Sequence, residues 1–173
     1  MDEIIDLVDE NDQVIGKELK SICHAKNLLH RGSAVLCFED ESLTKILLNK
    51  RSLQKKEDPG KICIPGGHIS TSETYLAGAK REFSEEMLGD GKFSSELEFE
   101  ELFKIRNDHH EFITLFKIIH NGSFLPDPEE VEEYYFENIS TVMNEIENES
   151  QLFTHTTKIL LAKYAENYLS NSR

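Results

Sequence analysis

Three glutamates close together, Glu82, Glu85 and Glu86, follow Arg81 in the segment REFSEE. At about 3.6 residues per turn, a helix carries all three on one face. Like charges at i,i+4 cost an isolated helix about 0.2–0.5 kcal/mol per pair, so propensity alone does not select this pattern. A hard divalent cation reverses the sign, because it takes carboxylate oxygens. Two readings follow: a solvated acidic face, ordinary in a chain with 33 Asp and Glu, or an open metal site. Upstream, Gly67 is followed after five residues by Glu73, and Glu73 after seven by Arg81. An open carboxylate site suits magnesium, which prefers a few carboxylates plus waters and substrate phosphates to a closed protein cage.

Those carboxylates need a helix over residues 73–87. Leu76, Ala79, Phe83 and Met87 form the seam that packs it on a sheet, leaving the acidic face toward a cleft. Gly78 lies one turn before Glu82 and reads as close helix–sheet packing. The glycine pair Gly66–Gly67 ends an apolar strand over 61–64. Before it, strands are expected at Ile4–Val8, 13–19, 33–38 and 45–50, with a helix or irregular connection over 21–29. The continuous apolar run over 33–38 reads as a strand buried on both faces. After the helix come a loop over 89–92 and strands over 98–106 and 111–119, joined as a hairpin at 107–110. A strand over 131–136, a short helix to about Asn148 capped by Ser140 or Thr141, and a last helix over 156–169 complete the chain. That last helix presents Leu161, Tyr164, Ala165, Tyr168 and Leu169 on one face. Strands around one central helix, with helices at the C-terminal end, predict an α/β fold with a mixed sheet covered on both faces.

A chain of 173 residues without repeats or a low-complexity linker reads as a single domain over 1–173. No apolar run approaches the roughly 20 residues of a membrane span. The acidic opening MDEIIDLVDEND lacks a basic n-region, so it does not read as a signal peptide. A net charge of −14 argues against non-specific binding to nucleic acid or anionic membranes. It also requires that anionic substrates be met by local Lys, Arg or metal. Cys23, Cys37 and Cys63 have no C-x-x-C spacing and read as free thiols of a cytoplasmic protein. Lys50, Arg51, Lys55 and Lys56 precede the glycine pair, as phosphate contacts or as a solvated basic loop. Tyr134, Tyr135 and Phe136 offer rings for a base, or for the core. His109–His110 reads as a hairpin turn.

Gly67, Glu73, Arg81, Glu82, Phe83, Glu85 and Glu86 resemble the Nudix box, G-x5-E-x7-R-E-U-x-E-E-x-G-U, in which U is a bulky apolar residue. Leu88 stands where the box has its last glycine, and Gly89 comes one residue late. The resemblance implies a Nudix-type α/β/α sandwich and a metal-dependent hydrolase that cleaves a pyrophosphate bond in a small-molecule, nucleoside diphosphate-type substrate. It implies Mg2+, with Mn2+ as an alternative, held by Glu82, Glu85, Glu86 and the carbonyl of Gly67. It makes Arg81 and Glu73 a structural pair, and Arg81 is also an i,i+4 partner for Glu85. The general base varies in this family. Glu111 is the candidate outside the box, with Glu132 and Glu133 behind it. The family often dimerises, which leaves a homodimer open.

The opening DLVDENDQVIG, His30-Arg31 before an apolar strand, and LLNKRSLQKKEDPGKICIPGGH resemble the Nudix branch related to isopentenyl diphosphate isomerase. Such isomerases bind a divalent metal through histidines and glutamates and use a cysteine two residues before one histidine. His24, His30, His68 and Glu111 stand near such positions, but Gly66 stands where that cysteine would be. Cys63 is three residues earlier, and His109 replaces a second strand carboxylate. A hydrolase is therefore the first expectation. An isomerase-like enzyme and a non-catalytic nucleotide-binding module are the alternatives.

Overall fold

The computed structural model describes residues 2–89 and 97–169. Of the loop expected over 89–92, the part beyond Gly89 lies outside them. The spine is a parallel pair, β3 (His30–Phe38) and β8 (Glu111–Ile119), in register from His30↔Glu111 to Phe38↔Ile119. Alternation along β3 explains its unbroken apolar run. Ala34, Leu36 and Phe38 join one core cluster, and Val35 and Cys37 join the other. The first cluster lies under α3 (Ile139–Asn148) and α4 (His155–Tyr164), through Val142, Leu160, Leu161 and Tyr164. The second lies under α2 (Tyr75–Met87), through Ala79, Phe83 and Met87. These are the layers of an α/β/α sandwich with a mixed sheet.

The sheet opens where the site lies. β4 (Lys45–Arg51) meets β3 only at Phe38↔Ile46, then pairs with β5 (Ile62–Cys63) and β9 (Val131–Asn138). At the other end of β3 its partner is instead β6 (Gly66–His68), with Gly32↔His68, Ser33↔Gly67 and Ala34↔Gly66. The glycine pair is thus itself a strand, not only the end of one. β7 (Glu100–Arg106) and β8 form the expected hairpin. A separate hairpin of β1 (Ile4–Val8) and β2 (Val14–Leu19) leads into α1 (Lys20–Lys26). Asn27, at φ 50°, closes α1 in the left-handed region, where Asn is tolerated. The weakly patterned stretch after β2 is therefore a helix, and it carries His24.

Helix α2 starts at Thr74, whose side chain accepts from the Ala77 N–H at 3.1 Å. Leu88 stays right-handed and Gly89 takes φ +66°, so the glycine ends the helix one residue late without turning its face. Two expected seams need correction. Leu76 is 40% exposed, and Tyr75 packs on the α2 cluster in its place, because its hydroxyl reaches both Asp12 carboxylate oxygens at 3.0 Å. In the last helix Leu160, Leu161 and Tyr164 are buried while Tyr168 and Leu169 are exposed, because the chain widens into a looser turn over Ala165–Leu169. Gly78 is closely packed as expected, but against Ile69 and Glu73 rather than a strand.

Phe83→Ala should cost about 3–5 kcal/mol in urea unfolding, because the ring is fully buried between α2 and the sheet. Leu76→Ala should stay within about 0.5 kcal/mol of wild type. Equal losses at the two positions would restore the seam read from the sequence.

Candidate active site

The Arg81 guanidinium organises the helix face. Its Nε donates to Glu73 Oε1 at 3.1 Å and its Nη2 to Glu73 Oε2 at 2.9 Å, a bidentate fork. Nη2 also donates to the His68 carbonyl at 2.9 Å. Nη1 donates to Glu82 Oε1 at 2.7 Å and Glu85 Oε2 at 3.1 Å. All the guanidinium donors are used. Glu73 is fixed in turn by the Ser70 N–H at 3.0 Å. One cation therefore ties β6, the turn before α2 and two of the three helix glutamates together. The structural pairing of Arg81 with Glu73 and the i,i+4 pairing with Glu85 both occur.

Glu86 lies deeper, 8% exposed, and its Oε2 accepts the Gly66 N–H at 3.2 Å. Burial, with the Glu82 charge beside it, pushes its carboxyl up to about 8. Burial also raises Glu82, against the pull of Arg81. Glycines make the room. A Cβ on Gly67 would overlap the Glu82 carboxylate, and one on Gly32 would overlap Glu111 Oε1. The Gly67 carbonyl oxygen lies 3.4 Å from that same point above Gly32. It and the Glu111 carboxylate thus face one small volume between β3, β6 and β8.

A second set converges there. His24 from α1, His30 from β3 and His68 from β6 have ring centroids 4.9–5.2 Å apart. One ring nitrogen from each lies within 4.8 Å of the others. His24 Nε2 and His68 Nε2 are 2.9 Å apart, and His68 Nε2 lies 3.9 Å from Glu111 Oε1. His30 Nδ1 donates to the Leu28 carbonyl at 2.7 Å, which leaves Nε2 to the cluster. Burial lowers His68 well below the usual histidine range and lowers His30. The Glu57 carboxylate, 3.3 Å from His24 Nδ1, raises His24. Burial pushes Glu111 up to about 7, although Asn107 Nδ2 donates to its Oε2 at 3.3 Å.

These groups line one cleft of about 850 Å³. Gly67, Glu82, Glu85, Glu86 and Glu111 all border it, while Arg81 stands behind its carboxylates. Of the basic loop, Arg51 and Lys55 reach the cleft. Lys50 turns away to Glu132 at 3.1 Å, which also removes Glu132 from the candidate bases. The aromatic run does not reach it: Tyr135 packs on one core cluster, Phe136 on the other, and Tyr134 sits edge-on to Phe124. Sequence reasoning missed Glu57, on the loop after β4, and the Thr154–Thr157 turn that starts α4. Only the fold brings these to the cleft. The donor chemistry fits divalent cations. Three clustered carboxylates, of which Glu82 and Glu86 have raised proton affinity, suit a hard ion, and three imidazoles beside a carboxylate suit a softer one.

The sequence matches the NUDIX domain family over residues 28–154. An isopentenyl-diphosphate Delta-isomerase from Serratia proteamaculans is 30% identical over 163 residues, covering 89% of this chain and 87% of that one. An uncharacterized Nudix hydrolase from Yersinia pestis is 30% identical over 136 residues, covering 76% and 70%. In three dimensions the chain is similar to the crystal structure of DR0079 from Deinococcus radiodurans. The TM-score is 0.80 at 18% identity, over 93% of this chain and 98% of that one, a likeness of fold. With Gly67, Glu82, Glu85 and Glu86 of the box gathered on one cleft and its relatives drawn from both activities, the chain belongs to the Nudix hydrolase superfamily, on the branch that includes isopentenyl diphosphate isomerases.

Proposed function

We propose that this enzyme, a Nudix hydrolase acting on phosphorus-containing anhydrides, works as one domain over residues 1–173. It cleaves a pyrophosphate bond of a nucleoside diphosphate-type small molecule by water attack, using magnesium or, in its place, manganese. The observation that carries this reading is the face of α2, where Arg81 orients Glu82 and Glu85 and where Glu86 is buried with the Gly66 N–H on its carboxylate. Glu82, Glu85, Glu86 and the Gly67 carbonyl would hold the ion. Bound there, magnesium supplies charge neutralisation at phosphate oxygens and a more acidic water. Arg51 and Lys55 border the cleft and would contact the phosphates. Glu111 accepts the proton of the attacking water, since a carboxyl pushed to about 7 is part ionised near neutrality and basic enough to keep what it takes. Three unpaired, buried thiols favour a reducing, cytoplasmic setting.

The three-histidine cluster favours one second reading, an isomerase-like enzyme. Against it stands Gly66. Its φ is +155°, and a Cβ would overlap the Ser33 carbonyl and lie 2.7 Å from Ala34 Cα, so a cysteine does not fit there as the strands stand. Cys63 borders the cleft, but burial raises its thiol to about 12, which leaves it protonated and inert at neutral pH.

Release of phosphate or cleaved diphosphate should be measured over a panel of nucleoside diphosphate compounds and isopentenyl diphosphate, with magnesium and with chelator. Metal-dependent hydrolysis is expected. Isomerised prenyl product would instead select the second reading, and nucleotide binding without turnover would demote the chain to a binding module. Glu86→Gln should lower turnover by roughly 10²-fold or more while unfolding nearly as wild type, because the amide resembles the protonated carboxyl the metal-free fold favours. Unchanged turnover in that variant removes the metal assignment.

The metal effect should depend on pH. The folded carboxyl of Glu86 holds its proton to about 8, against an ordinary value of 4.5, so metal-free stability falls as pH rises through that window. An ion needs the ionised form, so the rise in Tm produced by magnesium should be larger at about pH 8.5 than at about pH 6. A magnesium shift that is flat with pH, or equally steep in Glu86→Gln, would contradict this assignment.

A further inference from the structure

Among the described residues, a second cluster of metal-ligating side chains stands at the mouth of the cleft. Asp108 and His109 come from the β7–β8 hairpin, and His155 is the first residue of α4. One ligand atom from each lies within 4.8 Å of the other two. His155 Nε2 and Asp108 Oδ1 are 2.6 Å apart. The His109 and His155 rings stack at 4.3 Å between centroids and 10° between planes. All three side chains border the cleft.

The backbones beneath them are held independently. Asn107 Oδ1 accepts the N–H groups of His109 and Glu111, each at 3.0 Å, which sets the hairpin turn. The start of α4 is tied to β5 by the Thr154 N–H on the Ile62 carbonyl at 3.0 Å. It is tied to the next residues by the Ile64 N–H on Thr157 Oγ1 at 3.1 Å. The cluster is therefore presented by two anchored elements, with Asp108 and His109 exposed and His155 half-buried.

We propose that Asp108, His109 and His155 form a divalent-cation site of the zinc type, separate from the carboxylate helix. Two imidazole nitrogens and one carboxylate oxygen are the donors of an open, three-ligand tetrahedral site. Metal–nitrogen bonds of about 2.0–2.1 Å put tetrahedral ligand atoms about 3.3 Å apart, so modest rotations of these side chains close the present spacing of up to 4.8 Å. The His155–Asp108 hydrogen bond is replaced by a bond from each to the ion. Because all three residues border the cleft, a phosphate oxygen of an anion bound there would complete the shell. Magnesium does not compete, because it seeks oxygen donors and the α2 carboxylates supply them. The site does not depend on the hydrolase reading, since it binds its ion with or without turnover.

The test is metal binding by the metal-free, full-length protein. Zn2+ is titrated by calorimetry and Co2+ by its visible absorption, each with excess Mg2+ present. Wild type is compared with Asp108→Asn, an exposed change, and His155→Gln, a half-buried one, and all are repeated in a His24→Gln background that weakens the three-histidine set. The expected result is one equivalent of Zn2+ or Co2+ lost in each rim variant, in both backgrounds, with the melting temperature of the metal-free protein unchanged. Equal stoichiometry and affinity in wild type and both rim variants would overturn the proposal. So would a rim equivalent that excess Mg2+ displaces.

Discussion

The Arg81 fork is the interaction on which the site depends. An acidic protein with a net charge of −14 has set three glutamates along one helix face and a fourth, Glu73, at its start. One guanidinium reaches three of these four and the His68 carbonyl as well. Only a planar group with several fixed donors can do this; a lysine would offer a point charge and lose the bidentate grip on Glu73. Because the same group bonds β6 and α2, the positions of the carboxylates and of Gly67 are set together. The unmet member is Glu86, whose carboxylate, among the described residues, receives one backbone N–H and no ion pair. Burial without a paired cation raises its proton affinity, so the metal-free fold keeps it neutral.

Space is the second constraint, and glycines at three strand positions provide it. Gly32 leaves room for Glu111 and Gly67 for Glu82, while Gly66 lets β6 press against Ser33 and Ala34. The parting of β3 from β4 then makes the cleft, since β6 takes the place that β4 leaves. The sheet's topology and the size of three residues therefore decide how closely carboxylates approach one another.

Much of this was legible in the sequence because it is local. The i,i+3 and i,i+4 spacing on α2, the buried run of β3 and the late glycine at Gly89 are readable from periodicity and cap chemistry. What was not legible depends on pairings across the chain. Leu76 fits the helical period, but Tyr75 is held inward by Asp12, 63 residues away, and the seam shifts. Lys50 and Arg51 are neighbours on β4, and successive strand residues face opposite ways, so one reaches the cleft and the other meets Glu132. Glu57 and His155 carry no local signal at all. Their roles come from a loop and a helix end that only the assembled sheet brings to the histidines.

The contrast between hydrolase and isomerase readings turns on one backbone position rather than on the metal donors. Both donor sets are formed: carboxylates on α2, and imidazoles beside Glu111. Adding a thiol two residues before His68 would require a side chain at Gly66, and that side chain would meet the backbone of β3, not a flexible group that could yield. Relief would need β6 to move away from β3, and His68 and the Gly67 carbonyl lie on β6. The shift would pull both away from Glu111 and loosen the His68 carbonyl from Arg81. In this chain the close β3–β6 contact that brings the Gly67 carbonyl and His68 to Glu111 is the same contact that excludes the cysteine.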